Sequence, residues 1–89
     1  RDDKEAENFM RNLTDKLNLK QNSLILDLAC GKGRHSKFLN SIGYNVLGVD
    51  LSEESIKEAS LFKNESLNFR VHDMTLPLNE KFDCKAVSL

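Results

Sequence analysis

Apolar residues in the first part of the chain recur at steps of three and four. Between Asp3 and Asn18 they alternate with charged and amide residues, and they are Ala6, Phe9, Met10, Leu13 and Leu17. This spacing places them on one face of an amphipathic helix. Residues 20–23 are polar, and residues 24–29 then form a short, almost continuous apolar run. Such a run is typical of a strand covered on both faces, as in a parallel sheet.

The rest of the chain continues to alternate between helix and strand. The pattern predicts, in order, a helix over residues 34–43, a strand over 45–49, a helix over 53–63, a strand over 67–71 and a further strand from residue 82. Ser52 is a favourable N-cap for the third helix. Strands that alternate with helices in this way argue for an α/β fold with a doubly wound sheet, in which helices cover both faces.

Composition narrows the class of protein further. The chain has 89 residues with a net charge of -1, which fits one domain over residues 1–89 and gives no broad basic field for nucleic acid. No apolar run has the length of a membrane span, so we expect a soluble segment without a membrane partner. Cys30 and Cys84 form neither a CxxC pair nor a disulfide framework, which favours a cytoplasmic protein without a metal site. Because the chain starts at Arg1 and stops at Leu89 within a predicted strand, we expect a partial domain.

Small residues mark the turn from the first strand into the second helix. This glycine loop, residues 27–33, reads Asp-Leu-Ala-Cys-Gly-Lys-Gly. Such a turn directs backbone N–H groups at the space above the strand, and small side chains allow a ligand to approach closely. Asp50 closes the next strand 17 residues after Gly33, near the ~20-residue spacing at which Rossmann folds place a ribose-binding carboxylate. The glycines alone are also compatible with a purely structural turn.

These segments together resemble a known family. Residues 25–35 (ILDLACGKGRH) resemble the first motif of class I S-adenosylmethionine-dependent methyltransferases, and residues 46–52 (VLGVDLS) resemble their second. Residues 69–74 (FRVHDM) resemble the third motif, and Phe82-Asp83 the start of the fourth. The resemblance implies a Rossmann-like parallel sheet of about four strands in the order 3-2-1-4, preceded by an N-terminal helix. It implies S-adenosylmethionine as the cofactor.

The resemblance also implies roles for individual residues. Those predicted to line the methionine part of the cofactor are Asp27, Ala29, Gly31 and Gly33, with Cys30 contributing its backbone. Asp50 would bind both ribose hydroxyls, and Leu51 would pack against the adenine face. Asp73 would accept a hydrogen bond from the adenine amino group, while the Met74 backbone would meet the ring edge.

Two other functions remain open. In an NAD(P)-binding Rossmann domain of an oxidoreductase, glycine or alanine is expected at the position of Ser36. That kind of domain also does not require acidic residues at the positions of Asp27 and Asp73. A noncatalytic α/β module could associate with itself through an exposed sheet edge. S-adenosylhomocysteine, NAD and adenosine would discriminate these functions by their relative affinities.

The catalytic machinery is less defined. We expect a small-molecule methyl acceptor and name no catalytic base, because the resemblance implies that acceptor contacts come largely from outside this region. Because the chain starts at Arg1 and stops at Leu89, we expect the 89-residue chain alone to bind cofactor weakly and to be inactive. His35 lies on the same predicted helix face as Phe38, which favours a packed histidine, although its first-turn position also brings it near the cofactor. Lys32 and Arg34 could neutralise the cofactor carboxylate or be ordinary exposed cations.

Overall fold

The computed structural model describes residues 3–77 and the backbone of residues 86–87. The elements, in chain order, are α1 (Asp3–Lys16), β1 (Leu24–Leu28), α2 (Arg34–Ser41), β2 (Asn45–Asp50), α3 (Glu53–Ala59), a 3-10 turn (Ser60–Phe62), β3 (Leu67–Val71) and β4 (Ala86–Val87). The predicted alternation of helices and strands is therefore confirmed. Within the described residues, no helix is both long and apolar enough to cross a membrane.

All strand pairs in the sheet are parallel, and the order is β3-β2-β1-β4. Asp27 of β1 lies opposite Gly48 of β2, and Gly48 lies opposite Phe69 of β3. The short β4 pairs with β1, with Val87 opposite Asp27. The predicted α/β fold is confirmed. Residues 82–85 and 88–89 of the predicted fourth strand, with Cys84, lie outside the described part of the chain.

The main core forms where the helices pack on one face of the sheet. Alternate strand residues point to this face, and its buried members are Met10, Ile25, Leu39, Tyr44, Val46 and Leu67. Met10 and Leu39 come from α1 and α2. Ala59 of α3 reaches the same face near Phe69. The two connections β1-α2-β2 and β2-α3-β3 step in one direction along the sheet, so right-handed crossovers place both helices on one side.

Leu26, Leu47 and Val49 form a smaller buried cluster on the opposite face. The three described helices do not cover this face. The expectation that helices cover both faces therefore stays a prediction, because the chain between β3 and β4 is described only as far as residue 77. That connection reverses the direction of strand addition, which is where a helix would change sides.

Local signals set the element ends. Ser52 caps α3 as predicted, since its Oγ accepts a hydrogen bond from the Ser55 N–H at 3.1 Å. The α-helical part of α3 stops at Ala59, four residues before the predicted end, because the chain tightens into the 3-10 turn. Gly43 follows α2 with a φ of 107°, a backbone conformation that glycine adopts readily.

Candidate cofactor-binding site

The glycine loop leaves β1 through a series of left-handed residues. Ala29, Gly31 and Gly33 have φ values of 60°, 57° and 86°. Gly33 is the N-cap of α2, and its N–H donates to the Cys30 carbonyl at 3.0 Å. Ala29 is strained because a left-handed residue with a Cβ costs roughly 1–2 kcal/mol. Strain of this kind is concentrated at functional sites, where the surrounding structure maintains it.

The two glycines of the loop face different surroundings. A Cβ added to Gly31 would have no atom within 4 Å, so this side of the loop is open. A Cβ added to Gly33 would lie 2.9 Å from Ala59 Cβ and 2.9 Å from the Phe69 ring. Gly31 is therefore the residue at which a ligand could meet bare backbone. The small size of Gly33 is explained by helix-to-sheet packing, and its predicted contact with cofactor stays a prediction.

Asp50 connects the end of β2 to this loop. Its Oδ2 accepts a hydrogen bond from the Gly31 N–H at 2.8 Å, and its Oδ1 accepts one from the Ser52 N–H at 2.9 Å. The Ser52 and Gly31 N–H groups together lower the pKa of the Asp50 carboxyl. Each carboxylate oxygen has a second lone pair. The ionised, oriented Asp50 can therefore accept further hydrogen bonds from a ligand's hydroxyl groups.

Asp27 lies at the base of the loop and is only 2% exposed. Its Oδ2 accepts a hydrogen bond from the Ser36 hydroxyl at 2.5 Å, and Ser36 is fully buried. Burial raises the pKa of the Asp27 carboxyl, while the Ser36 hydrogen bond opposes the rise. The sequence showed a hydroxyl at residue 36 but gave no signal that Asp27 is its partner. Asp27 therefore lies buried beneath the loop, and its predicted place beside the methionine part of the cofactor stays a prediction.

Cys30 is the loop residue that the charges of both Asp27 and Asp50 influence. Its Sγ is 3.5 Å from the Gly31 carbonyl oxygen, and its N–H donates to the Val49 carbonyl at 2.9 Å. Partial burial, with the negative charges of Asp27 and Asp50, raises the pKa of the Cys30 thiol to about 12. The thiol therefore remains protonated at neutral pH and is a poor nucleophile or metal ligand. Across residues 3–77, no group of three or more potential metal-binding side chains is found.

Asp73 lies after the end of β3, beside the strand that ends at Asp50. Its Oδ1 accepts hydrogen bonds from the Thr75 hydroxyl at 2.7 Å and the Thr75 N–H at 2.9 Å. These two bonds lower the pKa of the Asp73 carboxyl. Leu51 is 68% exposed and Met74 is 44% exposed. Adjacent strands thus present an ionised carboxylate and two uncovered apolar side chains, a combination that suits a flat ring with an amino group.

A cleft of about 650 Å³ opens on the loop, and Ala29, Cys30 and Gly31 line it. The other lining residues are Lys32, Arg34, His35, Glu58, Leu61 and Phe62. Lys32 Nζ lies 3.7 Å from Glu58 Oε2 across this space. Of the residues predicted to bind the cofactor, Ala29, Cys30 and Gly31 thus line this cleft. Sequence reasoning did not place Glu58, Leu61 or Phe62 here, because their approach depends on how the end of α3 packs and no local pattern encodes it.

A second cleft, of about 350 Å³, lies between α1 and α2. It shares Arg34, His35 and Phe62 with the first. Arg34 also bridges the two helices, with its guanidinium 2.6 Å from the Asp3 carboxylate. His35 is therefore a residue at the junction of two clefts rather than a fully packed core histidine.

The parallel sheet in the order 3-2-1-4, with an acidic residue ending β2 beside a glycine loop, is a Rossmann-like fold, which class I S-adenosylmethionine-dependent methyltransferases share with other nucleotide-binding domains. The family model described as "Methyltransferase domain" matches residues 26–88. The chain belongs to this family.

Similar proteins include a probable thiopurine S-methyltransferase of Yarrowia lipolytica, 37% identical in an alignment of 65 residues, with 64% of this chain and 30% of that protein covered. Among solved structures, a methyltransferase of Clostridium acetobutylicum described as S-adenosylmethionine-dependent has a TM-score of 0.73 at 33% identity, over 93% of this chain and 35% of that one. A TehB-like SAM-dependent methyltransferase of Corynebacterium glutamicum has a TM-score of 0.74 at 29% identity, over 88% and 42%. The chain spans less than half the length of each.

Proposed function

We propose that this chain forms the S-adenosylmethionine-binding part of a methyltransferase. The observation that carries the proposal is the Asp50 carboxylate, which two backbone N–H groups hold beside the open side of Gly31. A fixed carboxylate suits a ribose diol, and bare backbone suits close approach of a ligand. Two similar proteins of known structure, at 29% and 33% identity, are S-adenosylmethionine-dependent methyltransferases.

The remaining predicted residues fit this use. Leu51 offers an exposed apolar surface for the adenine face, and Asp73 offers an ionised acceptor for the adenine amino group. The Met74 backbone would meet the ring edge. Ala29 and the Cys30 backbone line the cleft where the methionine part would lie, above the buried carboxylate of Asp27.

The cofactor would supply a methyl group on a sulfonium, which a nucleophile attacks in line. Much of the rate enhancement in such a reaction can come from holding two reactants in a suitable orientation. The residues of this chain would orient one reactant: Asp50 fixes the ribose, and the loop fixes the methionine part. No described residue is assigned as a catalytic base.

We further propose that the acceptor of the whole protein is a small molecule. The Yarrowia lipolytica relative is named for a thiopurine, a small heterocyclic acceptor. The net charge of -1 gives this chain no broad basic surface for a polyanionic acceptor. Methyl transfer to a panel of small thiol and amine heterocycles, compared with transfer to total RNA and to protein, tests the class of acceptor.

Calorimetric titration of the purified protein tests cofactor binding. S-adenosylhomocysteine should bind more tightly than NAD or adenosine, and Asp50→Ala should weaken its binding by at least about tenfold, since even one hydrogen bond to a charged acceptor is worth about 1.5–3 kcal/mol. Asp15→Ala is the matched control because it removes an exposed carboxylate from α1. It should leave the affinity unchanged.

The same titration separates the alternatives. Tighter binding of NAD than of S-adenosylhomocysteine would overturn the proposal and indicate the NAD(P)-binding domain of an oxidoreductase. If S-adenosylhomocysteine bound no better than adenosine and light scattering showed oligomers, the noncatalytic self-associating module would be the better account. Equal losses in Asp50→Ala and Asp15→Ala would remove the assigned role of Asp50.

A further inference from the structure

Asp27 and Ser36 form a polar pair at the base of the glycine loop, and both side chains are almost completely buried. Asp27 is 2% exposed and Ser36 is 0% exposed. A charged carboxylate in such a place is costly unless it is hydrogen-bonded. The Ser36 hydroxyl provides that bond at 2.5 Å, within the range of a charge-assisted O–H···O⁻ contact. A serine in the first turn of α2 thus determines how a carboxylate at the end of β1 is held.

The charged groups that face Asp27 act in opposite directions. His35, next to Ser36 on α2, favours the ionised carboxylate, and Asp50, on the neighbouring strand, disfavours it. Cys30 is influenced by both carboxylates and stays a neutral thiol. Burial is the largest influence on Asp27 and favours its protonated form, and the Ser36 hydrogen bond is the largest that opposes it. The charge of Asp27 is therefore sensitive to this one hydroxyl group.

We propose that Ser36 is a positioning residue for the cofactor: its hydroxyl holds the buried Asp27 carboxylate in the orientation and charge state that attract the amino group of the cofactor's methionine part. This inference rests on the function proposed above. Ser36 is fully buried and lines neither of the two clefts described above, so it would not touch the ligand itself. It acts through Asp27, whose ionised form attracts a cationic ammonium group across the loop backbone.

Cofactor affinity should depend on pH through the charge of Asp27. Protonation of Asp27 removes the attraction, so cofactor affinity should fall as the pH falls through the pKa of Asp27. Loss of the Ser36 hydroxyl leaves burial less opposed and raises that pKa further. In Ser36→Ala the decline in affinity should therefore begin at a higher pH than in the wild type, while the affinities converge at the alkaline end.

The experiment is a series of calorimetric titrations with S-adenosylhomocysteine from acidic to alkaline pH, over the range in which the wild type stays folded. Ser36→Ala should bind about tenfold more weakly than the wild type at the acidic end, the order expected for the loss of one hydrogen bond to a charged group, and within about twofold at the alkaline end. Ser41→Ala is the matched control, because it removes an exposed serine hydroxyl from the same helix. Its profile should follow the wild type.

Asp27→Asn provides the second variant, because it keeps an acceptor for Ser36 but has no charge to titrate. It should lack the acidic decline, and adding Ser36→Ala to it should leave the shape of its pH profile unchanged. A decline that is equal in wild type and Asp27→Asn, or a Ser36→Ala loss that is uniform over pH, would overturn the inference and leave Ser36 as a packing residue. Failure of folded wild-type protein to bind S-adenosylhomocysteine at any pH would instead overturn the proposed function.

Discussion

Gly31 and Gly33 look alike in the sequence but should respond differently to the same substitution. In Gly33→Ala, the new Cβ would lie 2.9 Å from Ala59 Cβ and from two atoms of the Phe69 ring, at a φ of 86°. The left-handed backbone costs about 1–2 kcal/mol, and overpacking costs about 1–3 kcal/mol more. The expected loss is therefore about 2–5 kcal/mol of the ~5–15 kcal/mol typical of folded proteins.

Gly31→Ala should affect ligand binding more than it affects stability. Its Cβ would meet nothing within 4 Å, so only the backbone cost of about 1–2 kcal/mol applies. Ala29 already adopts a φ of 60° in the same loop, close to the 57° of Gly31. The variant should fold, but its methyl group would occupy the open side of the loop and weaken S-adenosylhomocysteine binding.

Urea unfolding followed by far-UV circular dichroism measures the first effect, and calorimetric titration measures the second. Phe69→Leu adds a double-mutant cycle, because leucine lacks the Cε1 and Cζ atoms that collide with the new Cβ. In that background the penalty of Gly33→Ala should shrink, while the penalty of Gly31→Ala should not change. Equal loss of stability in the two single variants would refute the assignment of Gly33 to packing.

Two further outcomes follow from strain and burial in the loop. Ala29→Gly should keep the free energy of unfolding or raise it by up to about 1 kcal/mol, because it relieves a left-handed alanine. Ala6→Gly within α1 should instead lower the free energy of unfolding by about 0.5–1 kcal/mol. Urea unfolding of both variants gives the comparison, and a loss of stability in both would contradict the strain at Ala29. Burial raises the folded-state pKa of Asp27 above its ordinary 3.8, so the folded state binds the extra proton and stability should fall as the pH rises through the interval between the two values. Asp27→Asn should lack that component in urea unfolding over the same pH range, and an unchanged pH slope would contradict it.

The elements that are local in sequence could be predicted from it. The predicted β3, residues 67–71, coincides with the observed strand because alternating apolar residues and the flanking polar residues define it. The cap at Ser52 was also predictable, since its bonding partner Ser55 lies three residues away. The end of α3 was predicted four residues too late, because charged and apolar residues compatible with a helix continue into the 3-10 turn.

For residues that are distant in the sequence, the proximity of two segments could be predicted, but the individual hydrogen bonds between them could not. The ends of β1 and β2 had to meet because parallel strands place their carboxyl ends together, so Asp50 was expected near the loop. That its Oδ2 would accept the Gly31 N–H, 19 residues away, depends on the left-handed turn at Ala29 and Gly31. The Ser36 bond to Asp27 likewise depends on how the first turn of α2 lies over β1.

Neighbouring groups of the glycine loop serve either ligand access or the packing of the loop on the sheet. The open side of Gly31 is available to a ligand while its N–H already anchors Asp50, and Gly33, two residues on, leaves space for Phe69. Asp50 has a lowered pKa because backbone N–H groups bind it, while Asp27 has a raised pKa because burial outweighs its single hydroxyl partner. The first carboxylate is therefore held in its charged form by backbone N–H groups, whereas the charge of the second depends on the surrounding packing. A substitution that loosens the contact of α2 with the sheet should thus change cofactor affinity in a pH-dependent way even when it touches no ligand.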